Sequence, residues 1–402
     1  MGLAALEPDR GRADMIRTAN CLAKLDRMNR TLRHQEADRV PVSDFFWGSF
    51  LRRWREELDL APDADIYRFY DLDWMQFNPN LDPHIRPFEI LFENDAEIVV
   101  RTGFDAVLRK KLAYPMPAFV RFETDTVEKM EAFRFDDPWD ERRFFAAGDD
   151  QINGVGDGFA RNLAPYVDRV QAAWTDFPIF GGVCEAHEML WRIIGSENAM
   201  LWMGLYPDAI ARFVGRILEF SLELLKAQIQ AADGLLDGVV IWGDVACKKG
   251  LLFSPAFWRA HFKPGVRALV DECHKHDLPV IYHGCGNVNR IFPDFVELGV
   301  DAYNPLEAKA GMDVLDLRRK FGHRIGFCGN MDVQLWANGT FGAIKAAVLT
   351  KLNAAKGGGF IFQSDHSVPG DVSGERYDYV LRLVRQYGAY PLRLGEYNIA
   401  DF

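Results

Sequence analysis

The sequence predicts an α/β fold: a distorted (β/α)8 barrel of the TIM type, interrupted by an antiparallel strand excursion near residues 79–125. Three observations carry this expectation. Strand-length apolar runs recur through the second half of the chain with helical stretches between most of them, the pattern of parallel βαβ units. Six such runs lie between 178 and 366, and two more near 40–47 and 72–77 make eight, the number that closes a barrel. Nearly every run ends in a polar or metal-ligating residue, as expected where barrel strands emerge at their carboxyl ends. The competing doubly wound sheet lacks its phosphate-binding signature, because no G-x-G-x-x-G follows the first strand.

Taken in order, residues 14–36 predict a helix, with Met15, Ile16, Leu22, Leu25 and Leu32 set among many Arg and Lys. This is read as an N-terminal helical extension, 1–36, of a single domain spanning 1–402. Residues 37–47 are a turn and then a strand ending in Asp44 and Trp47. Helical material follows over 51–78, closing with a mixture of acids and aromatics at 71–78 that suits either pocket wall or core. Alternating apolar and polar residues at 97–102 and 119–123 suit antiparallel strands with one solvated face. Residues 126–175 read as helical, with a Gly- and Asp-rich loop near 148–158. Strands are then expected at 179–185, 238–244, 280–283, 302–304, 325–328 and 359–362. Ser254-Pro255 is a good N-cap and first-turn pair and opens a long helix to His276. Asp313 and Thr340 open two more.

Composition excludes several classes. Of 402 residues, 49% are apolar and 26% charged, which is ordinary for a globular protein. A net charge of -11 without a sustained basic stretch argues against nucleic-acid binding. Six cysteines spread thinly over the chain do not make a disulfide framework and suit a reducing, cytoplasmic setting. No apolar run reaches the roughly 20 residues of a membrane span. The first 20 residues hold no apolar core for a signal peptide, and Leu6 breaks the myristoylation pattern after Gly2.

The most informative stretch is 280–288, where a short apolar run ends abruptly in His283-Gly284-Cys285-Gly286-Asn287. His283 and Cys285 stand two apart, so in extended chain both point to one side. An imidazole and a thiolate aimed together are half of a zinc site; the pair alone also suits a buried thiol beside a hydrogen-bonded histidine. Asp44, Glu185, Asp244, Asn304, Glu307, Cys328, Asn330, Asp332, Asp365 and His366 all fall at strand carboxyl ends, and in a barrel these converge on one mouth. His366 is a candidate third ligand or general acid, or a histidine that caps its own loop. Asp244 and Asp44 are the other candidate catalytic groups. Asp332 can equally be a helix cap and Glu307 a solvated carboxylate. His187, Glu188 and Arg192 suit an amphipathic helix surface as well as the mouth. Candidate substrate contacts are Trp47, Asp73, Asn78, Glu185, Trp242, Tyr282, Asn304, Glu307, Asn330 and Asp332. Aromatics near the expected mouth, including Phe45, Trp74 and Tyr303, favour a sizeable, partly apolar small-molecule substrate, although barrel cores use them too.

Four places in the chain resemble the uroporphyrinogen decarboxylase superfamily, which includes cobalamin-dependent methyltransferases. They are Ala37-Asp38-Arg39-Val40-Pro41-Val42, the turn at 283–287, Gly329-Asn330-Met331-Asp332, and Gly357-Gly358-Gly359-Phe360 leading to His366. The resemblance implies a distorted barrel with its site at the strand carboxyl ends, often as a homodimer. True decarboxylases carry R-Q-A-G-R-Y after the first strand. This chain has Trp47-Gly48-Ser49-Phe50-Leu51-Arg52-Arg53 there, so the motif is absent, although His366 matches the histidine near the end of their eighth strand. The methyltransferase branch is the closer likeness. It holds zinc by H-x-C, matched by His283 and Cys285, and by a later cysteine that would fall near Asp365 or His366 and is missing. His366, Cys328, Asp244, Glu185 or Asp365 would then complete the set. This implies a zinc ion activating a thiol, ether or hydroxyl substrate, and a methyl group moving to or from a corrinoid on a partner protein. The alternative is a metal-free decarboxylase of a tetrapyrrole or other polycarboxylate.

Overall fold

Seven strands pair in parallel in the order Met75–Gln76, Ile179–Cys184, Gly238–Trp242, Val280–His283, Ala302–Asn304, Gly326–Cys328, Phe360–Ile361. Residues 40–43 stitch the two edges together. On one side Val42 bridges Phe362 in parallel, and the Phe362 N–H donates to Pro41 O at 2.9 Å. On the other, Asp73 N–H donates to Val42 O at 2.8 Å and Ser43 Oγ to Trp74 O at 2.9 Å. The sheet thus curls into a distorted barrel, with all eight staves at the expected positions. The computed structural model describes residues 15–85, 89–111, 114, 117–145 and 164–395; the Gly- and Asp-rich loop near 148–158 lies outside them.

The strands form because their residues are apolar on both faces, as parallel strands covered by helices must be; every residue of Ile179–Cys184 is buried. Across the barrel interior Trp74, Phe180, Val240, Ile281, Ala302, Cys328 and Ile361 pack in one cluster, one from each paired strand or the residue beside it. Met28 and Leu32 of the helix Ala19–Leu32 join the same cluster. That helix is shorter than the expected 14–36, and Thr18 caps it by accepting from Cys21 N–H at 3.1 Å. It lies across the amino ends of the strands. Arg17 pairs with Asp237 at 2.7 Å, Lys24 donates to Asp176 O at 3.3 Å, and Arg27 meets Asp73. The N-terminal helix is therefore the floor of the barrel.

Asp73 belongs to that floor. It is fully buried and also accepts from Arg39 at 2.7 and 3.0 Å and from Val42 N–H at 2.6 Å. Of the two uses open to the 71–78 stretch, Asp73 takes the core one.

The antiparallel excursion is present as Glu89–Glu93, Glu97–Arg101, Ala106–Lys111 and Ala118–Phe122, paired consecutively. Ile98, Val100 and Leu108 give it a small core of its own, and Phe119 seats it on Trp191 at 5.2 Å. One expected element is divided. The helix from Ser254 to His276 is two, Pro255–His261 and Lys263–Lys275, because Pro264 has no N–H and cannot continue the first. No helix among the described residues is long and apolar enough to cross a membrane.

Candidate metal centre

Strand alternation decides which side chains enter the mouth. On Val280–His283, Ile281 and His283 face inward. Tyr282 faces the helices, with Phe295 at 4.5 Å and its hydroxyl donating to Gly243 O at 3.2 Å. The following turn is held on both sides. A side chain at Gly284 would strike Tyr303 Oη and Gly243 O. Gly286 has φ +83°, and a side chain there would strike the backbone of Ala246 and Cys247. Only glycine meets both demands at 286, and Cys285 is thereby fixed between them.

His283, Cys285 and Asp244 converge. One ligand atom from each lies within 4.8 Å of the others. His283 Nε2 stands 3.7 Å from Cys285 Sγ, and Cys285 N–H donates to Asp244 Oδ1 at 2.7 Å. Zinc bonds of about 2.0–2.1 Å to nitrogen and about 2.3 Å to sulfur, at a tetrahedral angle, separate the two atoms by roughly 3.6 Å. The observed spacing and donor types therefore fit a zinc ion.

The surroundings are acidic. Glu188 Oε2 accepts from Asp244 N–H at 3.3 Å, and Glu188 itself is paired with Arg192 at 2.6 Å. His187 Nδ1 donates to Asp244 O at 2.8 Å. Glu185 caps the helix Ala186–Ile194 by accepting from Glu188 N–H at 2.9 Å, while its Oε2 is buried with no hydrogen-bond partner among the described residues. Glu307 Oε2 accepts from Gly286 N–H at 3.0 Å. Burial pushes the Glu185 carboxyl up to about 8. Burial, then the Asp244 and Glu307 carboxylates, push the Cys285 thiol far up. Burial and Glu188 raise Asp244, and burial lowers His283 so that its ring is neutral. A thiol, a neutral imidazole and a carboxyl crowded by acids make a site that a divalent cation would stabilise.

The wall beside His283 is aromatic. The Trp242 ring lies 4.4 Å from it, and Phe45 lies 5.5 Å from Trp242 and 6.4 Å from His283. Gln76 Nε2 donates to Asn78 Oδ1 at 2.7 Å, and this pair fills the space above Gly182. Gln76 was not singled out by the sequence; it stands two before Asn78, on the same face of its strand. A cavity of about 850 Å³ opens on the rim between Trp47, Lys248, Glu307, Lys309, Asp332 and His366. Glu307 joins it to the Cys285 turn.

The other candidates are not part of the Asp244–His283–Cys285 cluster, though Asn304 touches it. His366 is exposed and stacks on Trp47 at 6.2 Å, outside the Asp244–His283–Cys285 cluster. Asp44 points away from the mouth, accepting from Ser364 N–H at 2.8 Å and Tyr377 hydroxyl at 3.0 Å. Cys328 sits in the interior layer beneath His283 and donates to Gln363 Oε1 at 2.8 Å. Asn304 Oδ1 lies 2.5 Å from His283 Nδ1. Asn330 braces a loop by donating to Leu306 O and Met312 O, both at 2.6 Å. Asp332 caps Val333–Asn338 and pairs with Lys309 at 3.2 Å. Asp365 accepts from Ala308 and Val333 N–H, each at 3.0 Å, and burial lifts it to about 6.

Comparison with known proteins gives three findings. The sequence profile of Uroporphyrinogen decarboxylase (URO-D) matches residues 161–387. A uroporphyrinogen decarboxylase from Pelobacter propionicus is 25% identical over 182 residues, which are 45% of this chain and 50% of the relative; the chain thus spans about half the length of that relative. The solved structure of a methyltransferase from Methanosarcina mazei shares the fold, with a TM-score of 0.60 at 16% identity over 90% of this chain and 98% of that one.

Proposed function

Because the chain belongs to the uroporphyrinogen decarboxylase family, we propose that it is a zinc-dependent methyltransferase or demethylase of that family. It would move a methyl group between a small thiol, ether or hydroxyl substrate and a corrinoid carried on a partner protein. The observation that supports this is the Asp244–His283–Cys285 cluster, whose three ligand atoms lie within 4.8 Å of one another. Asp244, His283 and Cys285 would hold the ion and leave one position open, the pattern of catalytic rather than structural zinc. Bound there, zinc supplies a Lewis acid for the substrate heteroatom. Trp242 and Phe45 keep water from one side of the site, and the rim cavity between Trp47, Glu307 and His366 admits the substrate. The same reading includes a homodimer and a cytoplasmic setting, in keeping with six cysteines that are all free.

A metal-free polycarboxylate decarboxylase has less to support it. Its mouth needs cations for several carboxylates. Arg53 is turned to Glu57 at 2.6 Å and to the Gly370 and Asp371 carbonyls, and Lys309 is paired with Asp332.

Elemental analysis of purified protein tests the proposal, comparing wild type with Cys285→Ser under reducing conditions. The expected result is about one zinc per chain, lost in the variant. No metal in either protein after zinc is supplied refutes it and restores the cofactor-free decarboxylase.

A further inference from the structure

We infer that Asn304 is a positioning residue that fixes the tautomer of His283, and that it takes its own orientation from the backbone carbonyl of Cys328. The question arises because His283 has two ring nitrogens with different neighbours. Nδ1 lies 2.5 Å from Asn304 Oδ1, and Nε2 lies 3.7 Å from Cys285 Sγ. Only a nitrogen without a proton can bind a metal ion, so the tautomer decides whether the ring is ready to act as a ligand.

A carboxamide can turn its oxygen and nitrogen end for end, so only a partner that cannot change role fixes the direction of Asn304. The Cys328 carbonyl is that partner. It lies 3.3 Å from Asn304 Nδ2, and a backbone carbonyl only accepts. The amide NH₂ must therefore face Cys328, which leaves Oδ1 facing the His283 ring. An acceptor 2.5 Å from Nδ1 requires the proton on Nδ1. Nε2 is left with its lone pair directed at the Cys285 side. The opposite tautomer would set two lone pairs against each other at a residue only 1% exposed, where water cannot relieve them.

Gln363 and the Cys328 thiol complete the arrangement but follow it. Gln363 Oε1 accepts from Asn304 Nδ2 at 3.1 Å and from Cys328 Sγ at 2.8 Å. Both can rotate, so neither sets the direction. The residues lie side by side around the barrel: His283 is in register with Asn304, Cys328 is on the next strand, and Gln363 follows the strand after that. The barrel wall itself thus carries a fixed direction from a peptide carbonyl to the imidazole.

The test has two arms. In the first, long-range proton–nitrogen NMR on zinc-free protein labelled with ¹⁵N-histidine reads the tautomer of His283 directly. Wild type is expected to show the Nδ1–H form, Asn304→Leu to lose it, and Gln363→Leu to keep it because the Cys328 carbonyl remains. An Nε2–H form in wild type overturns the inference with no variant needed, and a switch in Gln363→Leu overturns the role of the carbonyl. The second arm, chelator competition, rests on the zinc reading above. Zinc affinity should fall about 10–100-fold in Asn304→Leu, and an unchanged affinity in folded Asn304→Leu overturns the positioning role. Wild type that binds no zinc yet shows the Nδ1–H form refutes the metal proposal and supports the tautomer inference.

Discussion

Replacing Asp44 by Asn should flatten the pH dependence of stability. Asp44 is 1% exposed, and its Oδ1 also touches the hydroxyl of Ser364, whose oxygen lies 2.6 Å from His366 O. Serine has one proton and the carbonyl can only accept. If the serine proton goes to the carbonyl, the Asp44 carboxyl must supply the proton for the other contact. Burial, the largest influence, lifts Asp44 from 3.8 to about 7. The folded state then binds more protons than the unfolded state between those values. The stability of the neutral carboxyl is fully present below about 3.8 and is lost as pH rises through about 7. At about 1.4 kcal/mol per pH unit, the loss reaches at most about 4 kcal/mol by pH 8. Asn has the shape of the neutral acid and does not titrate. Urea denaturation of wild type and Asp44→Asn at several pH values from 5 to 8 should show the variant gaining on wild type as pH rises. A difference that stays flat over that range, or that grows as pH falls, refutes the reasoning.

Three further outcomes follow from the geometry. Asp73→Ala removes the shared partner of Arg27, Arg39 and Val42 N–H and should cost about 3–5 kcal/mol in urea midpoints, while zinc per folded chain stays as in wild type. His366→Ala should leave zinc content unchanged and raise KM, because the ring lies on the rim against Trp47; loss of zinc would make His366 a ligand after all. Zinc titration near pH 7 in buffers of different ionisation enthalpy should report about one proton released per ion, from the Cys285 thiol that burial and Asp244 keep protonated. Heats independent of buffer would remove Cys285 from the ligand set.

The eight strands are legible because buried parallel strands read as short apolar runs, and the helices between them mark their separation. What single-residue reading leaves open is the side of the sheet. Asp44 and Phe45 are neighbours, yet one faces Tyr377 and the other His283. Tyr282 and His283 divide in the same way. A one-residue step exchanges the faces, and a polar residue at a strand end does not declare which it takes. The i, i+2 spacing of His283 and Cys285 does declare itself, since one ends a strand and the other lies two residues on along the same chain. Asp244 is less legible because its contact with Cys285 joins residues 41 apart in sequence. Asp73 is hidden for the same reason: its arginine partners are 46 and 34 residues away.

If the cluster holds zinc as proposed, charge favours Asp244 over His366 in the place of the later cysteine. A neutral histidine, a thiolate and a carboxylate together carry a charge of about -2, the same as a histidine with two thiolates, and they cancel a divalent ion. A set of two histidines and one thiolate carries about -1 and would leave a net positive charge beside the Trp242 and Phe45 rings, where burial makes an uncompensated charge costly. Two of the neighbouring acids leave that balance in place. Glu188 is paired with Arg192 at 2.6 Å, and the Glu185 carboxyl, lifted to about 8, remains neutral near pH 7. The aspartate stands two residues past the neighbouring strand, Gly238–Trp242, which pairs with Val280–His283 in register at Trp242 and His283. The barrel's parallel pairing therefore delivers the third charge beside the first two without the later cysteine.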